Sequence, residues 1–289
     1  YSPRKQFITK TSLNSVVIKD GFSFYYYRKP NFQIYQELKK VLSQTGDDRF
    51  FPIAVLGDGG IGKSALISEI YSFAVQREYI TFDIAQPKDQ QHSRYVISKL
   101  FRSIIHAEDE EQFFDYSIVT YIRKFLGINY NESWSDVLNN FFTANDVEIN
   151  AAYIAACMVT CTIKMATKSG VLLWLSDLQW ASPETITILE IFVNELNYNK
   201  NILRNNVILI FEGRKKEYIF VNNKKYYPAH WDAFTNNYLL KKYEIKKWNT
   251  IDSYDFLLEL FGVSSSEEPL YNKYIKELLD KSKGNPMHM

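Results

Sequence analysis

Cysteine is nearly absent, with two residues in 289, Cys157 and Cys161. That scarcity excludes a disulfide-stapled scaffold, and no Cys/His spacing of the metal type provides a structural zinc. Four apart in a helical pattern, the pair reads as two small buried apolar residues. The four histidines, His92, His106, His230 and His288, are scattered and have no partner at ligand spacing. Net charge is equally scarce: 34 Lys and Arg against 33 Asp and Glu leave +1. This balance argues against a basic module that wraps polyanions and against an acidic solvating tail. No apolar run approaches the ~18 residues of a membrane span, and no signal peptide opens the chain. The expected setting is reducing and cytoplasmic, with no direct nucleic-acid or membrane contact.

What is present is a core. Hydrophobic residues make up 46% and charged residues 23%, ordinary globular usage that excludes disorder. Aromatics reach 16%, with 21 Tyr and 20 Phe. Without a basic stripe beside them they read as packing residues rather than base-stacking platforms. At roughly 150 residues per domain the length predicts about two domains. The first residue is Tyr1, which predicts a piece of a longer polypeptide.

Along the chain, strands alternate with helices in the manner of a parallel sheet with helical crossovers. The predicted strands are Phe50–Leu56, Tyr79–Ile84, Val171–Leu175, Val207–Phe211 and a weaker fifth that ends in Tyr243-Glu244-Ile245. The first is a continuous apolar run, the pattern of a strand buried on both faces. Helices are predicted at Gln33–Leu42, Ser64–Gln76, Ser93–Ile105, Glu111–Leu126, Ser133–Thr143, Glu148–Thr167, Ser253–Phe261 and Leu270–Lys281. The charged, aromatic stretch Lys215 to Tyr227 reads as a surface excursion.

Gly57-Asp58-Gly59-Gly60-Ile61-Gly62-Lys63-Ser64 is a full G-x-x-x-x-G-K-[ST] match between a predicted strand and a predicted helix. Glycines let successive N–H groups point at phosphate oxygens, and the following helix adds its positive N-terminal end. Lys63 would reach the β- and γ-phosphates, and the Ser64 hydroxyl would hold Mg²⁺. Given glycine's frequency, a chance match is on the order of one in a hundred, and the strand-to-helix context makes it rarer. No N-K-x-D guanine reader and no L-S-G-G-Q transporter signature accompany it. At the end of the third strand, Trp174-Leu175-Ser176-Asp177-Leu178-Gln179-Trp180-Ala181-Ser182 offers an acid at the edge where such folds place their chemistry. Trp180 reads as a packing residue under that strand end.

This segment resembles the h-h-h-D-D-L-[HQ]-W-A-D box of the STAND branch of AAA+ ATPases, modules of large LuxR-type transcription regulators and of class III nucleotidyl cyclases. Three further segments are similar to that family. Ile208 to Arg214 resembles the strand that ends in its sensor arginine. Gly284-Asn285-Pro286 resembles its G-x-P motif, and Tyr27-Arg28 resembles its N-terminal motif without the glycine and glutamate. In the family's pattern the first aspartate falls on Ser176, the second on Asp177, and the trailing aspartate on Ser182. The resemblance implies an α/β fold, a P-loop NTPase three-layer αβα with a five-stranded parallel sheet followed by a small helical lid. It implies ATP and Mg²⁺ as cofactors. The phosphate-binding residues would be Gly57, Asp58, Gly59, Gly60, Ile61, Gly62, Lys63, Ser64 and Ala65, and Pro286 would touch adenine. Ser64 and Asp177 would face the metal, and Lys63, Asp177 and Arg214 would act in catalysis.

The expected organisation is an N-terminal segment and helix over 1–49 and a nucleotide-binding domain over 50–248 with a helical insertion near 93–169. The start of a helical lid follows over 249–289. The function expected is an ATP-binding, slowly hydrolysing regulatory switch in a larger signalling protein. Its partners would be ATP and ADP, other domains of the same longer chain, and further copies through nucleotide-dependent self-association. Ser176 keeps open a degenerate, non-hydrolysing scaffold for protein–protein interaction, while a phosphotransferase lacks a recognisable acceptor site.

Overall fold

A computed structural model describes residues 7–12, 15–19, 23–26, 31–44, 48–88, 94–106, 118–143, 149–214, 219–221, 224–226, 229–260, 268–283 and 285. Two compact units emerge: Tyr1–Lys40, Gly57–Ile70 and Glu244–Met289 form one, and Val41–Leu56 with Tyr71–Tyr243 form the other.

The chain opens with strands β1 (Phe7–Ser12), β2 (Ser15–Lys19) and β3 (Ser23–Tyr26), an antiparallel sheet that the sequence pattern had not singled out. Helix α1 (Asn31–Ser43) follows, then β4 (Phe50–Leu56), α2 (Lys63–Gln76) and β5 (Ile80–Ala85). The insertion contributes α3 (Tyr95–His106), α4 (Ile118–Leu126), α5 (Trp134–Thr143) and α6 (Ala151–Ala166). Of the longer helix expected over 111–126, the first seven residues lie outside the described ones. Next come β6 (Val171–Ser176), α7 (Pro183–Tyr198), β7 (Val207–Gly213), and the short hairpin β8 (Ile219–Val221) and β9 (Lys224–Tyr226). That hairpin is the described part of the expected surface excursion. Helix α8 (Ala229–Thr235), β10 (Lys241–Glu244), α9 (Thr250–Leu260) and α10 (Glu268–Ser282) complete the chain.

The central sheet has five strands in the order β10-β4-β7-β6-β5, and the pairings of β4 with β7, β7 with β6 and β6 with β5 are parallel. With its flanking helices this is the three-layer α/β architecture of P-loop NTPases. Strands β6 and β7 are buried at every position, as strands covered on both faces must be. The register sets Leu56 opposite Gly213 and Leu175 opposite Phe211, so the C-terminal ends of β4, β7 and β6 lie side by side.

Part of the aromatic wealth goes into this core. Phe101, Phe141 and Phe142 meet edge to face, and Phe211 stacks edge-on against Phe234 at 5.0 Å. The guanidinium of Arg94, which is buried, bonds Glu184 at 3.0 Å and lies over Phe141, tying the insertion to α7. Cys157 and Cys161 are free and fully buried on α6, as expected. The hydrogen bond to Cys161, with burial, pushes the Cys157 thiol well above its ordinary value. In the other unit α9 and α10 bury Leu257 and Ile275 against Trp248, Tyr254 and Leu278. Among the described residues no helix is long and apolar enough to cross a membrane.

Candidate functional site

Strand β4 hands the chain to the loop Gly57–Gly62, and α2 begins at Lys63. Gly60 and Gly62 take φ of 73° and 99°, a region that side chains disfavour. Gly57 is needed for close approach: a Cβ there would stand 3.0 Å from the Ile245 carbonyl oxygen and from the Ile61 side chain. Ile61 is buried, and its N–H reaches back to the Asp58 carbonyl at 3.4 Å, closing the turn. Lys63 is 7% exposed, and its ammonium donates to the carbonyls of Gly57 at 3.0 Å and Asp58 at 2.9 Å. The lysine thus folds over its own loop, holding a positive charge at its centre. Ser64 is exposed on the first turn of α2, and Ala65 beside it is half-buried.

Among the described residues no acceptor is hydrogen-bonded to the N–H of Gly60 or Gly62. Backbone donors left over in a glycine loop at a helix N-terminus make an anion cradle. The residues present therefore fit a nucleotide's phosphates. Three consecutive loop residues also meet the C-terminal part of the same unit. Gly57 lies against Ile245, Asp58 faces the Lys247 ammonium at 3.4 Å across an exposed pair, and the Gly59 carbonyl accepts from the Asn285 Nδ2 at 2.9 Å. Pro286, expected at adenine, lies outside the described residues, as do Gly284, Tyr27 and Arg28.

In the other unit the ends of β6 and β7 form a second cluster. Ser176 is the last residue of β6 and is buried; its carbonyl accepts from the Gln86 N–H at 2.9 Å. Asp177 follows, exposed and left-handed at φ 57°, ψ 30°. A non-glycine residue there costs on the order of 1 kcal/mol, least for Asp and Asn. Gln179 is 2% exposed and spans the strand ends. Its Nε2 donates to Asp177 Oδ1 at 2.9 Å, and its Oε1 accepts the Arg214 N–H at 3.1 Å. The Arg214 carbonyl in turn accepts from the Trp231 indole at 3.0 Å. Asp177 and Arg214, expected to act together, are thereby linked through one buried amide. Trp180 is half-buried and carries the Lys88 ammonium over its ring at 5.1 Å.

Two participants went unremarked at the sequence level. Glu212, 4% exposed inside β7, accepts from the Trp174 indole at 3.0 Å. Its signal was a lone charge within the apolar run Val207–Gly213. Gln179 was only a letter of the resembled motif, with nothing in the sequence to mark its bridging amide. Among the described residues no three His, Cys, Asp or Glu side chains converge on a metal-sized point.

No protein-family model matches the chain, and no curated protein matches it. Solved structures do. The chain is similar to Cdc6p from Pyrobaculum aerophilum at 15% identity and a TM-score of 0.44, over 83% of this chain and 51% of that one. It is also similar to the Aeropyrum pernix Orc1 protein, solved in complex with DNA, at 11% identity and a TM-score of 0.36, over 80% of this chain and 47% of that one. The chain thus spans about half the length of both.

Proposed function

We propose that the chain binds ATP with Mg²⁺ on the loop Gly57–Ser64 and serves as a slowly hydrolysing, nucleotide-dependent switch within a longer signalling protein. The observation that carries this reading is the loop itself. Two positive-φ glycines leave their N–H groups to a ligand, and Lys63 is held over the loop by carbonyls it can exchange for phosphate oxygens. In this reading the N–H groups of Gly60, Gly62, Lys63 and Ser64 orient the phosphates, and Lys63 binds the β- and γ-oxygens. Ser64 and Asp177 are the groups that would hold Mg²⁺. Bound Mg²⁺ neutralises charge that develops on the phosphates during transfer. Asp177 orients the attacking water, Arg214 senses the γ-phosphate and Pro286 packs on adenine. These last roles rest on the resemblance to STAND ATPases, as do the lid over 249–289 and nucleotide-dependent self-association.

Binding is tested by titrating a fluorescent ATP analogue into the wild type and Lys63→Ala. The expected result is loss of most of the affinity in the variant, with ATP competing better than GTP in the wild type. Equal affinity for the two proteins would refute the reading.

The neutral Ser176 favours a second reading, a non-hydrolysing scaffold that keeps nucleotide as a structural ligand. Phosphate release decides between the two. Slow turnover should rise in Ser176→Asp and vanish in Asp177→Ala. A missing acid worth ~3 kcal/mol corresponds to roughly a hundredfold in rate. No turnover in the wild type or in Ser176→Asp would leave the scaffold as the function.

A further inference from the structure

We propose that Asn285 is a positioning residue for the phosphate loop, fixing the peptide between Gly59 and Gly60 so that its N–H faces the ligand. The proposal rests on the reading of Gly57–Ser64 as a phosphate site and adds to it a residue far away in sequence.

The Asn285 Nδ2 donates to the Gly59 carbonyl at 2.9 Å, and Asn285 is buried. A peptide unit is planar and trans, so its C=O and N–H point in opposite directions. Holding the Gly59 carbonyl toward Asn285 therefore turns the Gly60 N–H the other way. That N–H has no acceptor among the described residues, and Gly60 has φ 73°. With a glycine on each side, nothing steric opposes rotation of this peptide. A flip would aim a carbonyl oxygen where phosphate needs a donor.

Asn285 is itself well anchored. Its N–H donates to the Ser282 carbonyl at 2.9 Å, and Lys283, at φ 48°, turns the chain off the end of α10. Asn285, just past the end of α10, is thus coupled to one phosphate-binding N–H through its side-chain hydrogen bond to Gly59. Nucleotide affinity then depends on where Asn285 is held.

The test uses the full chain as wild type, Asn285→Ala and Asn285→Asp, the last nearly isosteric but presenting an acceptor to the Gly59 carbonyl. Binding of tripolyphosphate, ATP and adenosine is measured by calorimetry. Glycine-selective ¹⁵N labelling follows the Gly60 amide, and thermal melts confirm that each variant is folded. One neutral hydrogen bond holding the orientation implies about fivefold weaker tripolyphosphate and ATP binding in Asn285→Ala. Asn285→Asp should bind more weakly still. Adenosine affinity should be unchanged, and the downfield displacement of the Gly60 amide on adding tripolyphosphate should shrink. Wild-type tripolyphosphate affinity in Asn285→Ala with an unaltered Gly60 response would overturn the proposal alone. So would a loss of adenosine affinity as large as the loss for tripolyphosphate. If the wild type binds no tripolyphosphate, the phosphate-site reading fails and takes this inference with it.

Discussion

Replacing Gln179 by leucine removes a buried amide that joins the ends of β6 and β7. Two hydrogen bonds disappear, one from Nε2 to the Asp177 carboxylate and one from the Arg214 N–H to Oε1. Asp177 is exposed, so water replaces most of what its carboxylate loses. The Arg214 N–H is part-buried and is left facing a methyl group, which costs about 1–3 kcal/mol. A net loss of ~2 kcal/mol corresponds to a melting-temperature drop of about 3–4 °C for a chain of this size. Gln179→Glu separates the two bonds. Its carboxylate still accepts the Arg214 N–H, but it meets the Asp177 carboxylate at hydrogen-bond range. At an effective dielectric of about 20, two like charges ~4 Å apart repel by ~4 kcal/mol, an upper bound because Asp177 is exposed. Salt weakens this repulsion and leaves the leucine penalty alone. Thermal melts at low salt and at about 0.5 M salt should therefore show partial recovery for Gln179→Glu only. A leucine variant that melts within about 1 °C of the wild type would refute the bridge, since ~2 kcal/mol cannot hide in so small a shift.

Ser182→Ala should cost about 1 kcal/mol, because Ser182 Oγ accepts the Thr185 N–H at 3.1 Å as the N-cap of α7; amide hydrogen exchange at Thr185 should quicken, and Ser182→Asp should restore protection. Glu69 is held above the ordinary carboxylate range by burial, so its neutral form is favoured in the folded state. Its contribution to stability is full below the ordinary carboxylate value and is lost as pH rises through the raised one. Glu69→Gln should accordingly match the wild type in urea melts near the acid end and exceed it at neutral pH, and equal stability at both ends would contradict the burial effect.

The strands that form the sheet were legible because apolar runs report burial. Strand β4 was predicted and found at Phe50–Leu56, bounded by Arg49 and Gly57. Strands β6 and β7 run past their predicted ends to Ser176 and Gly213. The reason is that ladder pairing is a backbone property, and Ala85↔Ser176 and Leu56↔Gly213 continue it through residues an apolar count discards. Helix α8 was missed because seven residues are too few for a period to register, although Trp231 and Phe234 bury there. The phosphate loop was legible because its chemistry demands adjacent residues. Asn285, 226 positions from the carbonyl it binds, was legible only as part of a motif. A contact made across that separation leaves no local pattern to read.

The two serines that stand where the resembled motif has aspartates, Ser176 and Ser182, carry different weight. At Ser182 the side chain's structural task is to accept the N–H of a helix's first turn, and a hydroxyl does this about as well as a carboxylate. That departure is a swap between equivalent caps. Ser176 closes a strand buried at every position, where a carboxylate would be desolvated and would need a cation beside it. A hydroxyl makes no such demand. The acid that remains, Asp177, is exposed, left-handed and tethered by Gln179. Left-handed backbone and a buried amide hold the one carboxylate at this strand end, which favours the proposed reading in which that carboxylate is used. Slow hydrolysis is therefore the stronger of the two readings, and the loss of phosphate release in Asp177→Ala is the result on which it depends.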